Sequence, residues 1–194
     1  MNGKVRRVVT GHDASGKAVV ISDGPAPSVR TNPLRPGHVS TDIWKTDAAP
    51  VVIRAKPEDP TVGPRQIHPP RAGTIIRIAE LQPEPPELRN MTPEQAREVF
   101  KAMGNEKAWS GSRHPMMHRT ETLDYAVVLE GEITMLLDDE DVHLKQGDVV
   151  IQCGTNHAWS NRSDKPCKML YVLIDGQLEP ELAARLGDGE AHPS

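Results

Sequence analysis

Only two cysteines, Cys153 and Cys167, occur in the 194 residues. Both fall in stretches of strand-forming character, where a small buried apolar residue in a reducing compartment is the expected reading. Neither a disulfide nor a thiol nucleophile is expected. No eighteen apolar residues run together, and MNGKVRRVV lacks an apolar stretch of signal-peptide length, so no spanning helix and no secretory leader are expected. The expected setting is cytoplasmic. There is no basic block either: Lys and Arg are scattered and the net charge is −4. That leaves no electrostatic footprint for nucleic acid or an anionic membrane, and points to a small neutral or acidic ligand. The length suits one domain with an elaborated end.

Proline, by contrast, is plentiful and unevenly placed. Ten of the 18 prolines lie in residues 1–72, while residues 117–175 hold only Pro166. A turn-rich, extended first part and a compact strand-rich second part follow. KVRRVVT and KAVVIS around HDASG read as a β-hairpin over residues 4–22. Residues 24–70 read as loop with short extended pieces at TDIWK and PVVIR. AGTIIRIAEL has the β-branched density of a strand, which the prolines of QPEPPE must end. TPEQAREVFKAMG then reads as a helix, with Thr92 as N-cap, Pro93 in the first turn, Gln95 completing a capping box and Gly104 as the stop. From residue 118 onward six short strands alternate with tight turns, as in a sandwich or small barrel. The tail EPELAARLG suggests a last helical turn.

Side chains alternate faces along a strand, so residues of one parity share a face. In MHRTETLDYAVVLEG, His118, Thr120 and Asp124 have one parity. In GDVVIQCGTNHAWSN, His157, Trp159 and Asn161 have one parity, with Trp159 a credible cavity wall. Two histidines and a carboxylate converging inside a barrel form the ligand set of an open non-haem iron site, which manganese, nickel or zinc could also occupy. Thr120, Trp159, Asn161 and Met135 are the expected pocket residues. By parity Tyr125 points outward. His114 reads as an exposed loop histidine, and His12, His38, His68 and His192 receive no role.

These two segments resemble the two sequence motifs of the cupin superfamily. Gly147, Gly154, His157 and Asn161 stand in the order of the second motif. Asp124, with six residues between it and Gly131, stands where the family has a glutamate, and His118 and Thr120 occupy the two histidine positions of the first motif. The resemblance spans about residues 73–175. It implies an all-β double-stranded β-helix, a cupin or jelly-roll barrel, often dimeric, with the pocket and any metal inside it. Two departures stand out. Thr120 replaces a histidine, which removes one coordination position, and Asp124 is a methylene shorter than glutamate.

The expected organisation is therefore an N-terminal arm and hairpin over 1–72, packing on the barrel or on a partner subunit, a barrel over 73–175 interrupted by a helical insertion at 83–116, and a tail over 176–194. The arm and the resemblance together suggest a homodimer. The leading functional expectation is a metal-dependent enzyme acting on a small organic acid, oxo acid or phenolic compound. His118, Asp124 and His157 would hold a divalent metal (Fe, Mn, Ni or Zn), with Asp124 and His157 catalytic and lyase chemistry, decarboxylation or dehydration, favoured. A non-haem iron dioxygenase is one alternative. The other is a metal-free barrel that binds a small molecule, or that isomerises or cyclises one with Asp124 and His157 as acid and base.

Overall fold

A computed structural model describes residues 4–65, 67–104 and 106–186. The chain opens with the hairpin β1 (Arg6–His12) and β2 (Ala18–Pro25). Asp13 builds its turn by accepting hydrogen bonds from the Ser15 and Lys17 amides at 2.8 and 3.0 Å, while Gly16 takes the left-handed conformation at φ 82°. Two strands follow where the sequence suggests mostly loop: β3 (Ser28–Asn32) and β4 (Arg35–Thr46). The prolines at 33 and 36 hide them. Pro33 sits between the strands, Pro36 lies near the irregular end of the pairing, and residues 28–31 still pair in register with 39–42. β3 is an edge strand, where a neighbouring proline costs no ladder bond. The PVVIR segment forms no strand, and its Val52 and Ile53 are exposed.

β5 (Thr74–Leu81) precedes two helices, α1 (Pro86–Arg89) and α2 (Pro93–Ala102). The expected capping box at α2 is present: Thr92 Oγ1 accepts from the Gln95 amide at 3.3 Å, and Gln95 Oε1 accepts from the Thr92 amide at 2.9 Å. The compact region supplies β6 (Thr122–Glu130), β7 (Glu132–Leu136), β8 (Asp141–Lys145), β9 (Val149–Cys153), β10 (Ala158–Ser160) and β11 (Cys167–Asp175), and α3 (Pro180–Leu186) closes the described chain. The rest of the tail, with His192, lies outside the described residues.

All pairings are antiparallel, and two sheets make the barrel: a six-stranded one in the order β3-β4-β5-β11-β6-β9, and a three-stranded one in the order β10-β7-β8. This is a jelly-roll, with the former loop region contributing two strands of the larger sheet. Between β6 and β7, Gly131 has φ 79°, and a Cβ there would meet the Pro166 carbonyl oxygen at 2.9 Å, so the turn admits only glycine. The strict alternation of β5 buries Ile75, Arg77, Ala79 and Leu81 on one face. One buried cluster joins Ala79, Val128, Ile133, Met135 and Met169. In a second, Val99 and Phe100 of α2 pack with Met117, Leu136 and Ala158. The insertion is thus joined to the core by a buried apolar contact. Cys167 is buried as expected, but Cys153 is exposed, because its parity on β9 places it on the outer face. No described helix is long and apolar enough to cross a membrane.

Candidate functional site

His118 lies just before β6 and His157 just before β10, and their backbones bond to each other reciprocally at 2.9 Å. That bridge joins the two sheets and sets the imidazoles side by side, with ring centroids 4.4 Å apart and planes tilted by 44°. His118 Nδ1 sits 3.0 Å from the Met116 carbonyl oxygen, and His157 Nδ1 sits 2.9 Å from that of Thr155. A carbonyl oxygen can only accept, so each Nδ1 carries the proton and each Nε2 keeps its lone pair. Gln152 adjoins His157: its Oε1 accepts from the Gly154 amide and its Nε2 donates to the Thr155 carbonyl at 3.0 Å, so the amide and the His157 Nδ1–H converge on that one oxygen with 3.0 Å between the two donors. Burial lowers the pKa of both rings, that of His157 to about 3, with neighbouring His118 adding to the effect. Both imidazoles are neutral at physiological pH.

Asp124 points inward from β6 in the register row of Leu173. Burial raises its pKa to about 6, against the opposing pull of the Thr122 hydroxyl and of Arg77. Its Oδ1 is buried without a partner. Thr120 reaches this carboxylate indirectly, through a 2.7 Å hydroxyl contact with Thr122. His118, Thr120, Asp124, His157 and Trp159 all line one inner cavity of about 140 Å³, as do Phe100 and Met103 of α2. Rings continue along its wall, His157 to Trp159 at 5.8 Å and Trp159 to Tyr171 at 5.6 Å.

Two expected pocket residues stand elsewhere. Met135 packs with Val128, Ile133 and Met169, opposite Trp159 on the neighbouring strand, and is not on the inner cavity wall. Asn161 serves the chain: its Nδ2 donates to the Leu81 and Lys165 carbonyls at 2.9 and 2.7 Å, and its Oδ1 accepts from Ser163. It borders a second, outer chamber of about 440 Å³ rather than the inner one. Parity puts a side chain on a face but does not say how far along the barrel it lies. Tyr125 is outward, as expected.

The structure also brings in residues that sequence reasoning passed over. Arg35 and His38 from β4, Arg77 from β5 and Arg65 from the loop between these strands all line the inner cavity. Arg77 was legible: it is the one charged residue on the inward face of TIIRIAEL. His38 is pushed down to about 3 by burial and by Arg35, Arg65 and Arg77. His68 is close enough to His118 to lower its pKa further. His114 is buried rather than exposed, accepting from the Met116 amide at Nδ1 and facing Glu84 at 3.3 Å through Nε2. A larger surface cavity of about 550 Å³, bordered by Trp109, Arg119 and Asp138, shares Thr120 with the inner one but neither imidazole.

A divalent cation suits these donors in kind, since two neutral imidazoles with free Nε2 atoms and a carboxylate with an orphaned oxygen are ligands such ions take. In spacing they fall short: among the described residues no three His, Cys, Asp or Glu side chains stand close enough to hold one ion.

The cupin-domain family model matches residues 106–173. Phomopsin biosynthesis cluster proteins C′ and D of Diaporthe leptostromiformis are each 31% identical over 179 residues, covering 88% of this chain and 78% of their own. The cupin-domain-containing oxidoreductase fogC of Aspergillus ruber is 27% identical across 89% of this chain and 73% of its own. Among solved structures, a Cupin 2 conserved barrel domain protein from Salinispora arenicola aligns with a TM-score of 0.39 and 11% identity over 80% of this chain and 87% of its own. The chain belongs to the cupin superfamily.

Proposed function

We propose that the chain is a cupin enzyme acting on a small organic acid, oxo acid or phenolic compound in the inner cavity, with a divalent cation, iron, manganese, nickel or zinc, for which His118, Asp124 and His157 would be the donors once drawn closer than they stand. The observation that carries this is the adjacent pair of neutral imidazoles, each tied to a backbone carbonyl through Nδ1, beside a carboxylate with one unpartnered oxygen. A bound cation supplies Lewis-acid polarisation of a substrate oxygen. The rest falls to the chain. Asp124, with a pKa of about 6, can give or take a proton near neutrality. Phe100, Met103 and Trp159 wall the cavity with apolar surface and limit water. Polarisation with proton transfer is lyase chemistry, and loss of carbon dioxide or water is the reaction type we favour.

Two observations favour other readings. The relatives named oxidoreductases support a redox form, of which an iron dioxygenase is the simplest. The wide spacing of the three donors supports a metal-free form in which Asp124 and His157 act as acid and base.

Incubating the protein with a panel of oxo and phenolic acids in deuterated water, with NMR and an oxygen electrode read together, separates the three. The lyase reading expects substrate loss or deuterium incorporation without oxygen uptake, abolished by a chelator and by His157→Ala. Oxygen uptake would replace it with the redox form, and activity that survives the chelator but not Asp124→Asn would replace it with the metal-free one.

A further inference from the structure

The wall of the inner cavity carries three guanidinium groups, Arg35, Arg65 and Arg77, against the carboxylate of Asp124 and, paired with Arg77, that of Asp42. Asp42 holds Arg77 through a 2.6 Å bond from Nε, and Glu84 holds Arg89 at 2.8 Å. Among the described residues Arg35 and Arg65 make no ion pair. Among the described residues Arg65 Nε is buried without a partner, and its Nη2 donates to the Ser40 hydroxyl at 3.3 Å. His38 Nδ1 is likewise buried and unpartnered. Burial and the neighbouring Arg77 bring Arg65 down to about 10, which still leaves it charged. Guanidinium groups with free donors, held together in a cavity, are the arrangement that recognises a carboxylate or phosphate.

The shape of the space adds a second constraint. At roughly 30 Å³ per water-sized group, the inner cavity of about 140 Å³ holds on the order of five such groups. The outer chamber of about 440 Å³ borders it through four shared residues, Arg35, His38, Leu81 and Trp159. Its further walls are apolar, among them Leu34, Leu88 and Met91, with Pro36, Pro83 and Pro85 between them. Its buried carboxylate, Glu84, is taken up by Arg89 and faces His114.

We propose that the cavity takes an amphipathic monocarboxylic acid, its carboxylate held in the inner room by Arg35 and Arg65 with His38 beside them, and its apolar body lying in the outer chamber against Leu88, Met91 and Trp159. This rests on the inner cavity being the substrate site, but it needs neither a metal nor turnover. A failed metal or activity measurement therefore leaves it standing, and its own failure leaves the catalytic reading standing.

Calorimetry on the chelator-treated full chain, with octanoate, octanol and octyl phosphate as probes, tests it. Octanoate is expected to bind at least about tenfold tighter than octanol, from its charge-assisted hydrogen bonds. Arg65→Gln and Arg35→Gln should each remove that advantage while octanol affinity is unchanged, which also shows that the variants fold. Met91→Glu should weaken both probes. No octanoate binding, equal affinity for octanoate and octanol, or an unchanged preference in both arginine variants would overturn the proposal. Tighter binding of octyl phosphate than of octanoate would overturn the choice of a carboxylate.

Discussion

Asp42→Ala is expected to destabilise the protein by about 3–5 kcal/mol, the usual cost of removing one partner from a buried ion pair. Asp42 and Arg77 are both buried and joined at 2.6 Å across β4 and β5. Removing the carboxylate takes from Arg77 its buried ion-pair partner while Arg65, Arg35 and His38 remain beside it, and leaves Asp124, whose pKa Arg77 lowers, as the opposite charge on that wall. The double variant Asp42→Leu with Arg77→Met removes both charges and should recover most of the loss, since apolar replacement of a buried pair is close to neutral. Urea unfolding of the single and double variants gives the comparison. A single variant within about 1 kcal/mol of the parent would mean that solvent reaches the pair and screens it.

Asp124→Asn should stabilise the chelator-treated protein at pH 7.5 by about 3 kcal/mol relative to its effect at pH 3.5, the worth of a shift of about two pKa units. The sign follows from the direction of the shift. Burial raises the folded-state pKa from 3.8 to about 6, so folding favours the protonated acid. Below the unfolded value there is no penalty. As the pH climbs from about 4 through 6, ionisation in the unfolded chain draws stability away, and the full cost remains above that window. Asparagine does not titrate and escapes it. Equal effects of the substitution at both pH values would show that the Asp124 pKa is not raised. A cation that binds at this carboxylate should reverse the sign of the substitution's effect.

Much of the barrel can be read from the sequence because its signals are local. The six strands after residue 118 are punctuated by Gly131, Gly147 and Gly154 at turns that need positive φ, and α2 announces itself through Thr92, Pro93 and Gln95. β3 and β4 are less legible, since their pairing is with β5, far along the chain, and Pro33 and Pro36 read as loop. The same distance explains the site. His118, Asp124 and His157 share inward parity and were found by it. The opposing guanidinium wall comes from Arg35, Arg65 and Arg77, brought beside the histidines only by the pairing of β4, β5, β11 and β6. Parity could not say that Met135 packs among Val128, Ile133 and Met169, nor that Asn161 spends its amide on the Leu81 and Lys165 carbonyls.

Elemental analysis of the protein purified without an affinity tag, beside the His157→Ala variant, tests the central claim most directly. The account predicts about one iron, manganese, nickel or zinc per chain, lost in the variant, because the imidazole with its proton fixed on Nδ1 offers Nε2 to the ion. A chain that takes up no cation, even after incubation with each of the four, would contradict it, and would leave Asp124 and His157 to act without one.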